Sequence, residues 1–134
     1  MPCFPLPWVR RWLLADIYRL GRWGQKQAER RLRRSGCRIL ARNWAADCGE
    51  LDLVVCDADG VVVFVEVKTR RSEAFAPAVA AVNLKKQRKI ARTAKRFLTQ
   101  YKLSDRPLRF DVLTVILPDK GPVEVKHYPA AFVP

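Results

Sequence analysis

The strongest structural signal in the chain is a pair of apolar segments joined by a short turn. Residues 50–56 read ELDLVVC, residues 61–69 read VVVFVEVKT, and DADG lies between them. Dense β-branched and aromatic residues on either side of Asp59 and Gly60 predict two antiparallel strands joined by a tight turn. A strand this apolar is expected to be buried on both faces, where ionised side chains are costly. Glu66 and Lys68, at the end of the second strand, therefore need partners that balance their charges.

Helical and strand patterns on both sides of this hairpin predict one α/β domain. Strong helix formers and periodic apolar residues indicate the helices, and runs of β-branched and aromatic residues indicate the strands. The predicted elements are helices at 23–35 and 84–102, strands at 37–44, 50–56, 61–69, 108–117 and 123–128, and a loop or short helical turn at 70–83. A chain of 134 residues is long enough to close one core. The expected architecture is a mixed central sheet flanked by helices.

The N-terminal twenty residues differ from the rest and are expected to form a helical appendage (1–20) to the main domain (21–134). Residues 8–20 predict a helix with Trp8, Trp12, Ile17 and Leu20 on one side and arginines on the other. Charged residues interrupt its apolar character well before the about 20 residues that a membrane span requires. We therefore predict no transmembrane helix here. A docking or membrane-surface role is left open.

The chain is strongly basic, with one acidic segment. It has 26 Lys and Arg against 13 Asp and Glu, a formal net charge of +13. Residues 49–67 contain no Lys or Arg, and they hold the five acidic residues Glu50, Asp52, Asp57, Asp59 and Glu66. A basic protein favours a polyanionic partner such as nucleic acid or an anionic membrane surface.

The acidic segment predicts a site for a hard divalent cation. Side chains alternate along a strand, so Glu66 and Lys68 share a face, and Asp52 shares its face with Glu50 and Val54, opposite Leu51, Leu53 and Val55. The length of the hairpin brings Asp52 within reach of Glu66. Two neighbouring carboxylates repel each other, and Mg²⁺ or Mn²⁺ relieves that repulsion through oxygen ligands. The blander alternative is an ion pair between Glu66 and Lys68 where the strand leaves the core.

Cysteine usage argues against a zinc site and for a reducing compartment. The four cysteines, at 3, 37, 48 and 56, contain no C-x-x-C pair, and His127 is the single histidine. Scattered thiols without a secretory signal are typical of a cytoplasmic protein.

The acidic and apolar motifs resemble a known nuclease pattern. GELD at 49–52, followed by EVK at 66–68, is similar to the Asp…Glu-x-Lys motif of the PD-(D/E)XK, or restriction-endonuclease-like, superfamily. Together with ARNW, VFVEVKTR, VNLKKQRKIARTAKRFL, RFDVLTV and HYPAAF in this order, the chain resembles the bacterial YraN-like family of uncharacterised endonuclease-like proteins. The resemblance covers about residues 21–132.

The resemblance implies a restriction-endonuclease-like αβββαβ core and a set of site residues. It implies Asp52 and Glu66 as ligands of Mg²⁺ or Mn²⁺, the Val67 carbonyl as a further ligand, and Lys68 as the catalytic lysine. Gln25 stands where the family commonly has a glutamate, and a glutamine coordinates through oxygen without adding negative charge. Glu50 remains either an accessory ligand or a solvated carboxylate.

The helix at 84–102 is expected to contact phosphates. It has seven basic residues between 85 and 96 and no acidic residue among them. The candidate nucleic-acid contacts are Lys85, Lys86, Gln87 and Lys89 on this helix, together with Arg70. Asp111 and His127 are interpreted as structural residues, the former satisfied by a basic side chain or a backbone amide.

The sequence therefore predicts a metal-dependent nuclease that hydrolyses phosphodiester bonds, on DNA first and on branched or flapped substrates by analogy. The main alternative is a non-catalytic nucleic-acid-binding protein with a vestigial site. Peripheral membrane contact through the N-terminus is the least favoured function. A homodimer stays open, because cutting two strands often uses two copies of a domain that has one site.

Overall fold

A five-stranded mixed sheet with helices on both faces forms the body of the protein. The computed structural model describes residues 5–73 and 77–134. The elements in chain order are α1 (Pro7–Leu14), α2 (Ile17–Arg34), β1 (Arg38–Ala46), β2 (Gly49–Cys56), β3 (Val62–Arg70), a 3₁₀ turn (Ala78–Ala81), α3 (Leu84–Gln100), β4 (Leu108–Ile116) and β5 (Glu124–Tyr128). The predicted α/β class and the αβββαβ order, from α2 to β4, are confirmed.

The strands lie in the order β1, β2, β3, β4, β5. The β1–β2, β2–β3 and β4–β5 pairs are antiparallel, while β3 and β4 are parallel. Helix α3 makes the crossover that a parallel pair requires. The predicted hairpin is confirmed: Gly60 has a φ of 86°, and the Asp57 carboxylate accepts hydrogen bonds from the amides of Asp59 and Val61.

The two faces of the sheet carry separate apolar cores. On one face Val54, Phe64 and Val112 pack with the α3 residues Ile90 and Phe97. The other core lies on the opposite face, where α2 covers the central strands; its members are Ala28, Leu32, Leu53, Val55, Val63, Val65, Leu113 and Val115. Alternation along β2 and β3 supplies both cores, as expected for strands buried on both faces.

One part of the predicted alternation is wrong. Leu51 packs in the α3 core with Val54 and not with Leu53 and Val55. The register between β2 and β3 begins at the pair of Leu53 and Val65. Before this pair, the backbone of β2 pairs with β1 alone, so no backbone pairing with β3 fixes the direction of its side chains.

The prediction of one N-terminal helix over residues 8–20 is also wrong, because the helix is interrupted at Ala15 and Asp16. The Asp16 carboxylate accepts hydrogen bonds from the amides of Tyr18 and Arg19 and so begins α2 at Ile17. The expected division between an appendage and a domain at residues 20 and 21 falls inside α2, and that division stays a prediction.

Because of this break, the expected apolar side of the N-terminal helix does not form. Trp8, Trp12 and Ile17 are exposed, whereas Leu20 is buried with Leu13 and Leu117. No helix in the described ranges is long and apolar enough to cross a membrane. The expected loop or short helical turn contains the 3₁₀ turn, while residues 74–76 and Cys3 lie outside the described residues.

Candidate nuclease site at the end of the central hairpin

The Asp52 carboxylate lies where β2 and β3 separate. It follows Leu51 and precedes Leu53, the first β2 residue in register with β3. Its Oδ2 accepts a hydrogen bond of 2.9 Å from the Val67 amide. The side chain thus ties the two strands together in place of a backbone hydrogen bond, and the predicted proximity of Asp52 to the end of β3 is found.

Glu66 is buried and shared by two ammonium groups. Its residue exposure is 6%. The Nζ of Lys68, two residues along β3, and the Nζ of Lys86, at the start of α3, each lie 3.4 Å from Glu66 Oε1. The pair of Glu66 and Lys68 on one face was predicted, whereas the contact of Lys86 with Glu66 was not.

Burial and the neighbouring carboxylate change the acidity of Asp52. Desolvation, followed by repulsion from Glu66, raises the pKa of Asp52 from 3.8 to about 6. The Val67 amide and the charges of Lys86 and Lys68 act in the opposite direction. Glu66 is therefore close enough to disfavour the charge of Asp52, which is the electrostatic condition that a bound cation would relieve.

The accessory residues predicted beside this pair have different positions. Gln25 on α2 reaches the site, and its Nε2 donates to the Asp52 carbonyl at 3.5 Å. Glu50 is exposed and pairs through its backbone with Ala45. Among the described residues, Glu50 has no hydrogen bond or ion pair with Asp52, Glu66 or Lys68.

Of the four α3 residues predicted to contact phosphate, two are exposed and two have partners within the protein. Lys85 and Lys89 are exposed, but Gln87 donates its side-chain Nε2 to the Val82 carbonyl at 3.0 Å. Lys86 is held by Glu66. Arg70 is exposed at the end of β3 and donates to the carbonyl of Thr69. The contacts with phosphate themselves stay predictions.

A cavity of about 690 Å³ opens beside Asp52, between α2 and the sheet. Residues of α2, β1, β2 and β3 line it. It is lined by Ile17, Tyr18, Gly21, Arg22, Gln25, Lys26, Glu29, Arg42, Asn43, Asp52, Val67, Lys68, Thr69 and Arg70. Sequence analysis missed the part formed by Tyr18, Arg22 and Arg42, since the first two belong to no motif and Arg42, within ARNW, was given no role. The signal available for the first two was their spacing of four along a helix.

The donor set can hold a small divalent cation. Within the described ranges, no group of three or more His, Cys, Asp or Glu is positioned to bind a metal. Mg²⁺ nevertheless needs only one or two carboxylates, since water and substrate phosphate complete its coordination. Asp52 and Glu66 supply these two carboxylates, and repulsion from Glu66, after desolvation by burial, contributes to the raised pKa of Asp52. The residues therefore fit Mg²⁺ or Mn²⁺, without the cage that calcium or zinc would need.

Another buried carboxylate, Asp111, is structural. It accepts hydrogen bonds from the guanidinium of Arg109 and the amide of Ala130, and its Oδ2 lies 2.7 Å from His127 Nε2. Although burial alone would raise the pKa of Asp111, these hydrogen bonds lower it to about 2. Its partners join β4 to β5 and to the chain after β5, so the predicted satisfaction of Asp111 by a basic side chain and a backbone amide is confirmed. The structural role of His127 stays a prediction.

Comparison with known proteins gives family relatives across most of the chain. The model of the uncharacterised protein family UPF0102 matches residues 24–115. A UPF0102 protein of Frankia casuarinae is 45% identical over 113 residues, which are 84% of this chain and 95% of that protein. A UPF0102 protein of Trichlorobacter lovleyi is 39% identical over 113 residues, 84% of this chain and 89% of that protein. Among solved structures, Pyrococcus furiosus SfsA in complex with Ca²⁺ is similar at a TM-score of 0.39 and 16% identity, over 84% of this chain and 64% of that one.

Proposed function

This chain belongs to the uncharacterised protein family UPF0102, the YraN family, and we propose that it is a nuclease dependent on Mg²⁺ or Mn²⁺. It hydrolyses phosphodiester bonds of nucleic acid, DNA in the first place. The observation that carries the proposal is the pair of carboxylates Asp52 and Glu66 beside Lys68, with the pKa of Asp52 raised to about 6. Such perturbed groups beside a cavity are typical of catalytic sites.

We infer the roles of the site residues from their positions together with the resemblance to the nuclease motif. Asp52 and Glu66 would hold the cation, with the Val67 carbonyl and Gln25 as accessory oxygen donors. When bound, the cation supplies a Lewis acid for the phosphodiester and lowers the pKa of the attacking water. The Lys68 ammonium, which lines the cavity, donates to phosphate oxygens and neutralises the charge that develops on them.

Lys86, together with Lys68, balances the negative charge of this site before a cation binds. Lys86 and Lys68 keep the buried Glu66 carboxylate compensated, which lowers the cost of holding it ionised. Exposed Lys85, Lys89 and Arg70 would contact the phosphates that flank the scissile bond. A cytoplasmic location belongs to the same proposal, supported by the free thiols of Cys37, Cys48 and Cys56.

A second candidate function is nucleic-acid binding without cleavage. It is favoured by the Lys86 ammonium, which already forms an ion pair with Glu66, and by Gln25, which adds no negative charge to the site. A binder of this kind needs no Mg²⁺ and loses affinity steeply as salt rises.

Nuclease assays with matched variants separate the two functions. The protein is incubated with labelled single-stranded, duplex, flapped and four-way-junction DNA, with Mg²⁺, Mn²⁺ or EDTA. Asp52→Asn keeps an acceptor for the Val67 amide but removes the charge, and Lys68→Gln removes the ammonium. Asp59→Asn, at the exposed turn of the hairpin, is the control.

The proposal expects metal-dependent product that falls at least about 100-fold in Asp52→Asn and in Lys68→Gln but not in Asp59→Asn. Intact DNA under all conditions, bound equally by all four proteins, would refute the nuclease and leave a binding protein. Cleavage that survives both site substitutions would place the activity elsewhere.

A further inference from the structure

The cavity beside Asp52 is an open cleft with a basic wall and an aromatic residue at its mouth. Tyr18, Arg22 and Lys26 follow one another at four-residue intervals along α2, about 6 Å apart along the helix axis. All three line the cavity and are exposed, with Tyr18 76% exposed. They form one stripe that leads from solvent towards the carboxylate pair.

The positive charge of this stripe is largely uncompensated. Within the described residues, Arg22 and Lys26 form no ion pair. Arg42 on the opposite wall is half-exposed and paired with Glu29 at 2.7 Å. Arg22 and Lys26 are therefore free to contact phosphates along the path.

The cleft has open space beside Gly21, which lies between Tyr18 and Gln25 on α2. A Cβ added at Gly21 would meet no atom within 4 Å. The reacting groups lie deeper, with Glu66 6% exposed and the Lys68 side chain 17% exposed.

We propose that this cleft binds an unpaired segment of nucleic acid, with Tyr18 stacked on a base and Arg22 and Lys26 on successive phosphates. An exposed ring offers its face to any base that is not already stacked in a duplex. The inference rests on the proposed nuclease function and names its substrate class: single strands, or the single-stranded part of a flapped duplex. It also moves the main strand path from α3, where Lys86 and Gln87 have other partners, to α2.

Binding in EDTA tests the cleft separately from cleavage. Fluorescence anisotropy measures the affinity of the full chain for a labelled single strand, a blunt duplex and a duplex with a single-stranded flap, as DNA and as RNA. Tyr18→Ala removes the ring, and Tyr18→Phe keeps the stacking face. Arg22→Gln with Lys26→Gln removes two charges, and Arg34→Gln with Arg38→Gln removes two exposed charges near the opposite end of the sheet.

The expected results are specific to unpaired strands. Tyr18→Ala weakens binding of the single strand and the flap about tenfold, while Tyr18→Phe binds as the unchanged protein does. The Arg22 and Lys26 variant loses about 1.4 from the slope of log affinity against log salt, at about 0.7 per contact. The Arg34 and Arg38 variant keeps the slope.

The inference is overturned if the blunt duplex binds as tightly as the single strand, or if Tyr18→Ala leaves single-strand affinity unchanged. It is also overturned if the Arg34 and Arg38 variant loses as much slope as the Arg22 and Lys26 variant. Tyr18-dependent binding with no product in any metal would refute the nuclease but keep the cleft. Metal-dependent cleavage without Tyr18-dependent binding would refute the cleft and keep the nuclease.

Discussion

At the scale of single residues, the neighbouring carboxylates of the site lower the stability of the fold, and burial of the apolar strands around them offsets this loss. Asp52 is buried beside Glu66, and both the burial and the Glu66 charge disfavour ionisation of Asp52. Lys68 and Lys86 offset the charge of Glu66, while Asp52 has a backbone amide as its hydrogen-bond donor. A site held ready for a cation is expected to be less stable without one.

The first prediction is that Asp52→Asn stabilises the metal-free protein at neutral pH. Because the pKa of Asp52 is raised from 3.8 to about 6, the folded state favours the protonated form. The stability that this carboxyl contributes is highest below pH 4 and is lost as the pH rises through about 6. The asparagine side chain never ionises and keeps an oxygen for the Val67 amide, so the variant avoids a loss of up to about 3 kcal/mol.

Urea unfolding between pH 4 and 8, in EDTA, measures this effect. The gain of the variant should be largest at pH 7 to 8 and vanish near pH 4. Added Mg²⁺ should stabilise the unchanged protein more than the variant. A variant that is less stable than the unchanged protein at every pH would contradict the prediction.

Asp111 gives the second prediction, because its pKa is lowered whereas that of Asp52 is raised. Its hydrogen bonds lower its pKa to about 2, so its stabilisation is present above pH 4 and is lost as the pH falls through about 2. Asp111→Asn leaves Arg109 with Asp57 as its remaining ion-pair partner and takes the buried carboxylate from His127, so it should lower the free energy of unfolding by about 3 to 5 kcal/mol at pH 7.

Chemical denaturation at pH 7 and at pH 3 checks this prediction. The loss should be smaller at pH 3, where the unchanged protein has lost part of the same contribution. Asp119→Asn removes an exposed partner of Arg71 and should change stability by less than about 1 kcal/mol. Equal effects of the two substitutions would contradict the assignment of Asp111 as a structural residue.

At the scale of elements, the position of the site depends on how closely α2 approaches β3. A Cβ added at Gly24 would lie 1.9 Å from Thr69 Oγ1 and 2.8 Å from Thr69 Cβ. Rotation of the Thr69 side chain cannot remove the second contact, so Gly24→Ala should push α2 outward and lower stability by about 1 to 3 kcal/mol.

Gly21→Ala, one turn earlier in the same helix, is the matched control. No atom lies within 4 Å of the added Cβ, so better helix propensity should raise stability by about 0.5 to 1 kcal/mol. Thermal unfolding of both variants, and of Gly24→Ala combined with Thr69→Gly, measures the contact. A tolerated Gly24→Ala, or no recovery in the combined variant, would contradict the close approach.

Local patterns in the sequence predict the elements well where one pattern decides the structure. The hairpin around Gly60 and the amphipathic α3 follow from composition and periodicity that packing does not oppose. The break before α2 also had a local signal, because Asp16 precedes an apolar run as a helix-capping residue does, and sequence analysis missed it.

The site could be predicted only in part for a related reason. Glu66 and Lys68 share a face through the two-residue period of a strand, so their contact follows from local geometry. The contact of Lys86 with Glu66 depends on where α3 crosses the sheet, and the cleft depends on how β1 faces α2. Such distances are set by the packing of whole elements, which no spacing along the chain encodes.

At the scale of the whole molecule, α1 is docked where the parallel strands β3 and β4 end, which is the end of the sheet that also holds Lys68 and Arg70. The Arg10 guanidinium is 8% exposed and donates to the carbonyls of Pro118 and Gly121, at 2.8 and 2.7 Å. Leu13 packs with Leu20 and Leu117. These contacts join α1 to α2 and to the turn between β4 and β5.

The last prediction tests whether α1 is part of the cooperative fold or an independent appendage. Arg10→Gln shortens the side chain and removes its charge, so the Pro118 and Gly121 carbonyls lose charge-assisted hydrogen bonds worth about 1.5 to 3 kcal/mol each at most. If α1 unfolds together with the sheet, the substitution should lower the free energy of the single unfolding transition of the full chain by about 2 kcal/mol. Arg11→Gln, at the exposed neighbouring position, should change it by less than about 0.5 kcal/mol.

An independent appendage would leave the main transition at the same urea concentration in both variants. Hydrogen exchange then decides the boundary, because amides of α1 protected as strongly as those of β4 would extend the domain to α1 and remove the division at residues 20 and 21.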